Sequence, residues 1–205
     1  MGINFEYINV PANSADADLF FNETRIVHEA TFDKSGYFSG KWQHHSKIFT
    51  DDFRTWLESF GCEILKAEGF RVYPSTALAW HNDTNDSVGA NDLDPNLTTK
   101  INFMWGDLKK CYMEYGESII PTIGRRIVVN DRGRRAYVYS PESMKITERF
   151  SLENTILINR GTIHRVSNES NQDWLCLSCI IKNKSTGKPL LYEDAVKIFS
   201  SVRMC

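Results

Sequence analysis

The chain has 205 residues, of which 41% are hydrophobic and 24% charged, with a formal net charge of −2 at neutral pH. That is the make-up of one soluble globular domain with an ordinary core. It offers no whole-molecule attraction to nucleic acid or to an anionic membrane, and no apolar run approaches the ~18 residues of a membrane-spanning helix.

The start, Met1-Gly2-Ile3-Asn4-Phe5-Glu6, lacks the basic and apolar parts of a secretory leader. Glu6 also stands where a myristoylation motif wants Ser or Thr. Residues 1–60 read as a flanking part whose first fifty positions carry few structural signals. Phe53, Trp56, Leu57 and Phe60 then fall at helical intervals, with Thr50 or Asp51 able to cap the segment and Gly61 able to end it. From 61 to 183 the pattern turns β-rich. Ile64–Ala67 and Phe70–Tyr73 bracket Glu68-Gly69, and an apolar run leads to Trp80-His81. A polar Asn/Asp-rich loop follows from Asn82 to Asn96.

Strand-like segments resume at Lys100–Trp105, Lys110–Tyr115, Arg126–Asn130 and Ala136–Tyr139, with a hairpin turn at Asn130-Asp131-Arg132-Gly133. Lys145–Phe150, Thr155–Asn159 and Trp174–Ile181 complete the series, and Tyr192–Val202 within 190–205 reads as a short terminal helix. Many short strands separated by turns predict a mainly β fold, a sandwich or jelly-roll barrel with a few flanking helices.

The five cysteines, Cys62, Cys111, Cys176, Cys179 and Cys205, are odd in number and follow no leader. They predict reduced thiols and a cytoplasmic location. Cys176 and Cys179 form a lone C-x-x-C inside a strand, where positions three apart face opposite ways, so buried structural thiols are favoured over a zinc or redox site. Arg125, Arg126, Arg132, Arg134 and Arg135 gather around one hairpin. They read either as an anion-binding patch or as a charged strand edge that resists aggregation. The loop containing Asp86, Asp92 and Asp94 reads as a lid or as a surface loop.

The chemistry concentrates at His81 and Asp83. Two positions apart on a strand, they can aim at one point. With His164 from a distant strand they make two imidazoles and a carboxylate, a set that suits Fe(II) and leaves coordination positions open. Alone, His81-Asn82-Asp83 also reads as a polar turn and His164 as a loop histidine.

From Cys62 onward the chain resembles the marine-phage and bacterial relatives of the aspartyl/asparaginyl β-hydroxylases, within the 2-oxoglutarate/Fe(II)-dependent oxygenases. Ala67-Glu68-Gly69-Phe70, Trp80-His81-Asn82-Asp83 and Lys100-Ile101-Asn102-Phe103-Met104-Trp105-Gly106 carry the resemblance. Leu157 to Asn168 and Trp174-Leu175-Cys176-Leu177-Ser178 continue it.

The resemblance implies a double-stranded β-helix, a cupin-like barrel, holding Fe(II) on His81, Asp83 and His164. It also implies 2-oxoglutarate as co-substrate, oxygen, and hydroxylation of an amino-acid or peptidyl side chain. Many members grip the distal carboxylate of 2-oxoglutarate with an arginine beyond the distal histidine. Here Asp173-Trp174 stand there, which moves the expectation to Lys100, with Arg165 as the alternative and Asn102 and Ser178 as further polar contacts. Two other readings remain open: a cupin-like metal enzyme that does not use 2-oxoglutarate, and a catalytically silent barrel used for binding or structure.

Overall fold

The computed structural model describes residues 5–12, 14–16, 37–41, 48–82, 99–120, 125–129, 135–159 and 161–204. Asp83, most of the Asn/Asp-rich loop, the 130–133 turn and Cys205 lie outside them.

Helix α1 (Asp51–Ser59) forms where the apolar spacing predicts it. The Thr50 hydroxyl accepts from the Phe53 amide at 3.3 Å, satisfying one of the orphan donors of the first turn. Asp51 and Asp52 lie at the positive end of the helix dipole, and Gly61, at φ +68°, turns the chain out of it. Phe53 and Leu57 are fully buried on one face.

The strands are β1 (Phe5–Tyr7), β2 (Tyr37–Lys41), β3 (Cys62–Val72), β4 (Thr76–Ala77), β5 (Trp80–Asn82), β6 (Thr99–Trp105) and β7 (Cys111–Ser118). They continue with β8 (Arg125–Val129), β9 (Arg135–Tyr139), β10 (Met144–Ser151), β11 (Ile156–Asn159), β12 (His164–Asn168) and β13 (Trp174–Asn183). A short helix α2 (Tyr192–Ile198) closes the chain. Among the described residues no helix is long and apolar enough to cross a membrane.

All pairings are antiparallel. The first sheet runs β1-β11-β6-β13-β3-β2, the second β10-β7-β12-β5-β9-β8, with β4 also on β12. From β3 onward the chain shuttles between them: β3, β6, β11 and β13 belong to the first sheet, and β5, β7, β10 and β12 to the second. That shuttling is the jelly-roll, double-stranded β-helix arrangement, and the fold is mainly β with two flanking helices.

Each face of the first sheet has a distinct cover. Ile101, Phe103, Leu157, Leu177, Cys179 and Ile181 share one core with Phe53 and Leu57 of α1 and with Ala195 and Phe199 at α2. On the opposite face Val72, Ile156, Ile158, Trp174 and Cys176 pack with Met113, Tyr115 and Val166 of the second sheet. Cys176 and Cys179 thus fall in different cores, and the four described cysteines are free and buried.

One expected break is absent. Glu68-Gly69 does not divide two strands, because β13 pairs along the whole of β3 and sets Gly69 opposite Leu177 within the ladder. A long partner, in regular register from Lys66 to Val72, outweighs the local turn preference of a single glycine.

Phe53 is the keystone of the helix–sheet layer. Its ring meets Phe103 edge-on at 5.2 Å and Phe49 at 5.2 Å. Phe53→Ala should lower the unfolding free energy by about 3–5 kcal/mol, read by denaturant titration. A loss below about 1 kcal/mol would mean that the helix does not anchor the sheet.

Candidate metal and co-substrate site

His81 is the middle residue of β5 and His164 the first of β12, and they face each other directly in the register. Their ring centroids are 4.6 Å apart. Both imidazoles are oriented by the same local device. His81 Nδ1 lies 2.8 Å from the Ala79 carbonyl, and His164 Nδ1 lies 2.8 Å from the Thr162 carbonyl. A carbonyl can only accept, so each Nδ1 is the donor of its hydrogen bond. A backbone carbonyl holding the far nitrogen of an imidazole is the usual outer partner of a histidine metal ligand.

Two imidazoles side by side suit a divalent metal that accepts nitrogen ligands. Asp83, the expected third ligand, lies outside the described residues. Among the described residues no group of three His, Cys, Asp or Glu side chains converges.

The histidine face is internal. His164 is opposite Tyr115 on β7, with ring centroids 5.9 Å apart, and Val166 two residues on is opposite Met113. Tyr115, Met113 and Val166 all belong to the core between the sheets. Across that interior, the first sheet carries a polar stripe. Lys100, Asn102 and Met104 of β6 lie on the face shared with Ile156 and Ile158, while Ile101, Phe103 and Trp105 lie on the helix side.

Ser178 of β13 is opposite Asn102, and its hydroxyl donates to Asn102 Oδ1 at 2.7 Å. Lys100, Asn102 and Ser178 are buried to 4%, 3% and 1% exposure. Polar groups so deep in an apolar wall are costly unless hydrogen-bonded or paired. Lys100 also makes itself felt at Cys176, where its positive charge pulls the thiol pKa down against the larger upward push of burial, which takes it to about 12.

Arg165 stands elsewhere. Following His164 on an extended strand, it projects from the other face of the second sheet. There its Nε donates to Glu114 Oε2 at 2.6 Å, and its guanidinium lies 4.5 Å from the Trp80 ring centroid. The structure therefore brings together His81 with His164, and Lys100 with Asn102 and Ser178, and sets Arg165 apart. Asp173, where the resemblance expects an arginine, is itself bound by Arg71.

Trp174 beside it is on the interior face, 2% exposed, and its Nε1 has no hydrogen-bond partner among the described residues. Sequence reading gave that tryptophan little weight, since nothing in a strand-like WLCLSC run marks one indole as an unused donor.

No protein-family model matches the chain, and no curated protein does. Among solved structures it is similar to Peruvianin-I, a cysteine peptidase from Thevetia peruviana latex, with a TM-score of 0.36 and 11% identity over 93% of this chain and 87% of that one. It is similar to a recombinant oxalate oxidase in complex with glycolate, with a TM-score of 0.33 and 11% identity over 92% and 78%. It is also similar to HygX from Streptomyces hygroscopicus with nickel, 2-oxoglutarate and hygromycin B bound, with a TM-score of 0.31 and 12% identity over 58% and 55%. Likeness at this level carries no information about chemistry.

The buried thiols make the interior sensitive to alkali. Desolvation pushes Cys62 and Cys111 up to about 11 and Cys176 to about 12. Each holds its proton more tightly folded than unfolded. The resulting stability is fully present below the ordinary thiol pKa of about 8.5 and is lost as pH climbs through the folded values. The stability gap between wild type and Cys176→Ala should therefore shrink as pH rises from 8 to 10.5 in urea unfolding. A constant gap would mean that Cys176 ionises as freely in the fold as outside it.

Proposed function

We propose that this protein is a non-haem Fe(II), 2-oxoglutarate-dependent oxygenase that hydroxylates an amino-acid or peptidyl side chain. The observation that carries the reading is the cross-strand His81–His164 pair. Both Nδ1 atoms are held by backbone carbonyls, which makes Nε2 the ring nitrogen through which each imidazole would bind a metal. His81, His164 and Asp83 would hold the metal. Bound Fe(II) with 2-oxoglutarate supplies oxidation of an unactivated C–H bond by oxygen to an alcohol, coupled to decarboxylation of 2-oxoglutarate to succinate and carbon dioxide.

The chain's own residues bind and orient. Lys100 offers the charge for the distal carboxylate of the co-substrate, a charge-assisted pairing strengthened by its burial. Asn102 and Ser178 offer further hydrogen-bonding groups beside it. Ile156, Ile158, Met113 and Val166 form a dry surround that keeps stray water from the reacting centre. A reducing cytoplasm suits the four free, buried thiols.

A cupin-like metal enzyme without 2-oxoglutarate is the second reading. What favours it is the engagement of Arg165 by Glu114 and of Asp173 by Arg71, which leaves the co-substrate assignment resting on Lys100.

Anaerobic titration of the purified protein with Fe(II) and then 2-oxoglutarate tests the proposal. A weak visible charge-transfer band that needs both components, and is lost in His164→Ala, is expected. Lys100→Ala should weaken 2-oxoglutarate about 10- to 100-fold and leave Fe(II) affinity unchanged. Iron binding without the band would transfer the reading to the cupin-like enzyme. No iron binding would leave a silent barrel.

A further inference from the structure

The two histidines meet where ladders join, His81 being also opposite Val138 of β9 and His164 also opposite Tyr115 of β7. β4 pairs with the far end of β12, Ser167 with Ala77 and Asn168 with Thr76, and past β4 the Leu78 amide still donates to the Val166 carbonyl at 2.8 Å. Strand β5 rejoins β12 at one described residue pair, His164 with His81. This pairing sets the register, and side chains can add to it in fixing the orientation of the rings.

They do so on the sheet's other face. Trp80 immediately precedes His81 and Arg165 immediately follows His164, so both lie directly behind the imidazoles. The Arg165 guanidinium stacks on the Trp80 ring at 4.5 Å and so bridges β5 and β12 behind the histidine pair. Its Nε is fixed in turn by Glu114 of β7, a carboxylate only 2% exposed.

Glu114 Oε1 is also 3.5 Å from Arg149 Nε on β10, and that guanidinium covers the Tyr112 ring at 3.9 Å and reaches Glu169 at 2.5 Å. A continuous run of stacks and ion pairs, Tyr112–Arg149–Glu114–Arg165–Trp80, thus crosses four strands. Gly116 provides the space in which the indole lies, since a Cβ there would come within 2.9 Å of Trp80 Cζ3 and 3.0 Å of the Met144 methyl.

We propose that Arg165 and Trp80 form a clamp that fixes the spacing and orientation of His81 and His164, making both positioning residues for the metal centre. This rests on the metal-binding reading above. Arg is suited to the part because one planar group can stack on an indole while its edge meets a carboxylate. Glu114, buried with two guanidiniums, keeps the clamp from turning outward. Outer partners of metal ligands commonly alter metal affinity about 10- to 100-fold when removed.

Two measurements on the full chain test this. One is Co(II) affinity, followed by its visible absorption. The other is the long-range 1H–15N spectrum of the metal-free histidines, which reports whether each Nδ1 carries its hydrogen. In Arg165→Ala, Co(II) affinity should fall about 10- to 100-fold, and the Nδ1–H signals of His81 and His164 should broaden or shift.

Removing the arginine leaves the buried Glu114 carboxylate with Arg149 alone, at a cost that can unfold this variant. Arg165→Lys keeps the charge for Glu114 but has no plane to stack, and a smaller but measurable loss of Co(II) affinity is expected from it. Gly116→Ala, which displaces the indole without touching either charge, should act in the same direction. Folded variants with wild-type Co(II) affinity and unchanged histidine spectra would overturn the clamp. If wild type itself binds no Co(II), the metal reading fails. The histidine spectra would then still decide the clamp, altered signals in Arg165→Lys supporting it and unaltered ones overturning it.

Discussion

The meeting of His81 and His164 depends on how the two sheets are wound. These residues are far apart in sequence, and they become neighbours because β5 and β12 are adjacent in one sheet while the chain between them crosses to the other and back. The second sheet positions the imidazoles, and the first supplies the wall they look towards. A shift of one residue in either strand would send a histidine to the opposite face, since side chains alternate with period two.

The first sheet is covered on both sides by different materials. Its helix side is closed by α1 and α2 and is lined by Ile101, Phe103, Leu157, Leu177 and Cys179, with Phe53 against Phe103 at its centre. Its interior side mixes Ile156, Ile158 and Cys176 with Lys100, Asn102 and Ser178. A fold seeking stability alone would place apolar groups at those three positions, because buried polar atoms bring no net gain when they merely satisfy one another. The helix side therefore supplies the cohesion that lets the interior carry polar groups. Trp174 Nε1 belongs to the same interior and is a donor without an acceptor among the described residues.

The second sheet shows the complementary division. Tyr115, Met113, Val166 and the histidines line its inner face, whereas Trp80, Glu114, Arg149 and Arg165 form the charged and aromatic run behind them. Arg165 and His164 are adjacent in sequence and have opposite surroundings. An arginine beside a metal-binding histidine invites assignment to the co-substrate, and strand parity alone speaks against it. The identity of its partner, a carboxylate on the next strand, could not be read locally because Glu114 is fifty-one positions away.

The sequence by itself determined the helix over 51–59, with its Thr50 cap and Gly61 exit, because capping and apolar spacing are local properties. It also determined the mainly β character, the opposite facing of Cys176 and Cys179, and the grouping of Lys100, Asn102 and Met104 on one face, all consequences of a two-residue repeat. Only the tertiary structure decided that Glu68-Gly69 continues a strand, since that depends on the pairing of β3 with β13 on both sides of Gly69. It alone decided the facing of His81 and His164, the burial of Lys100 and the capture of Arg165 by Glu114 and Trp80. Those are contacts between segments far apart in the chain, and no local pattern of residues specifies which strands will lie side by side.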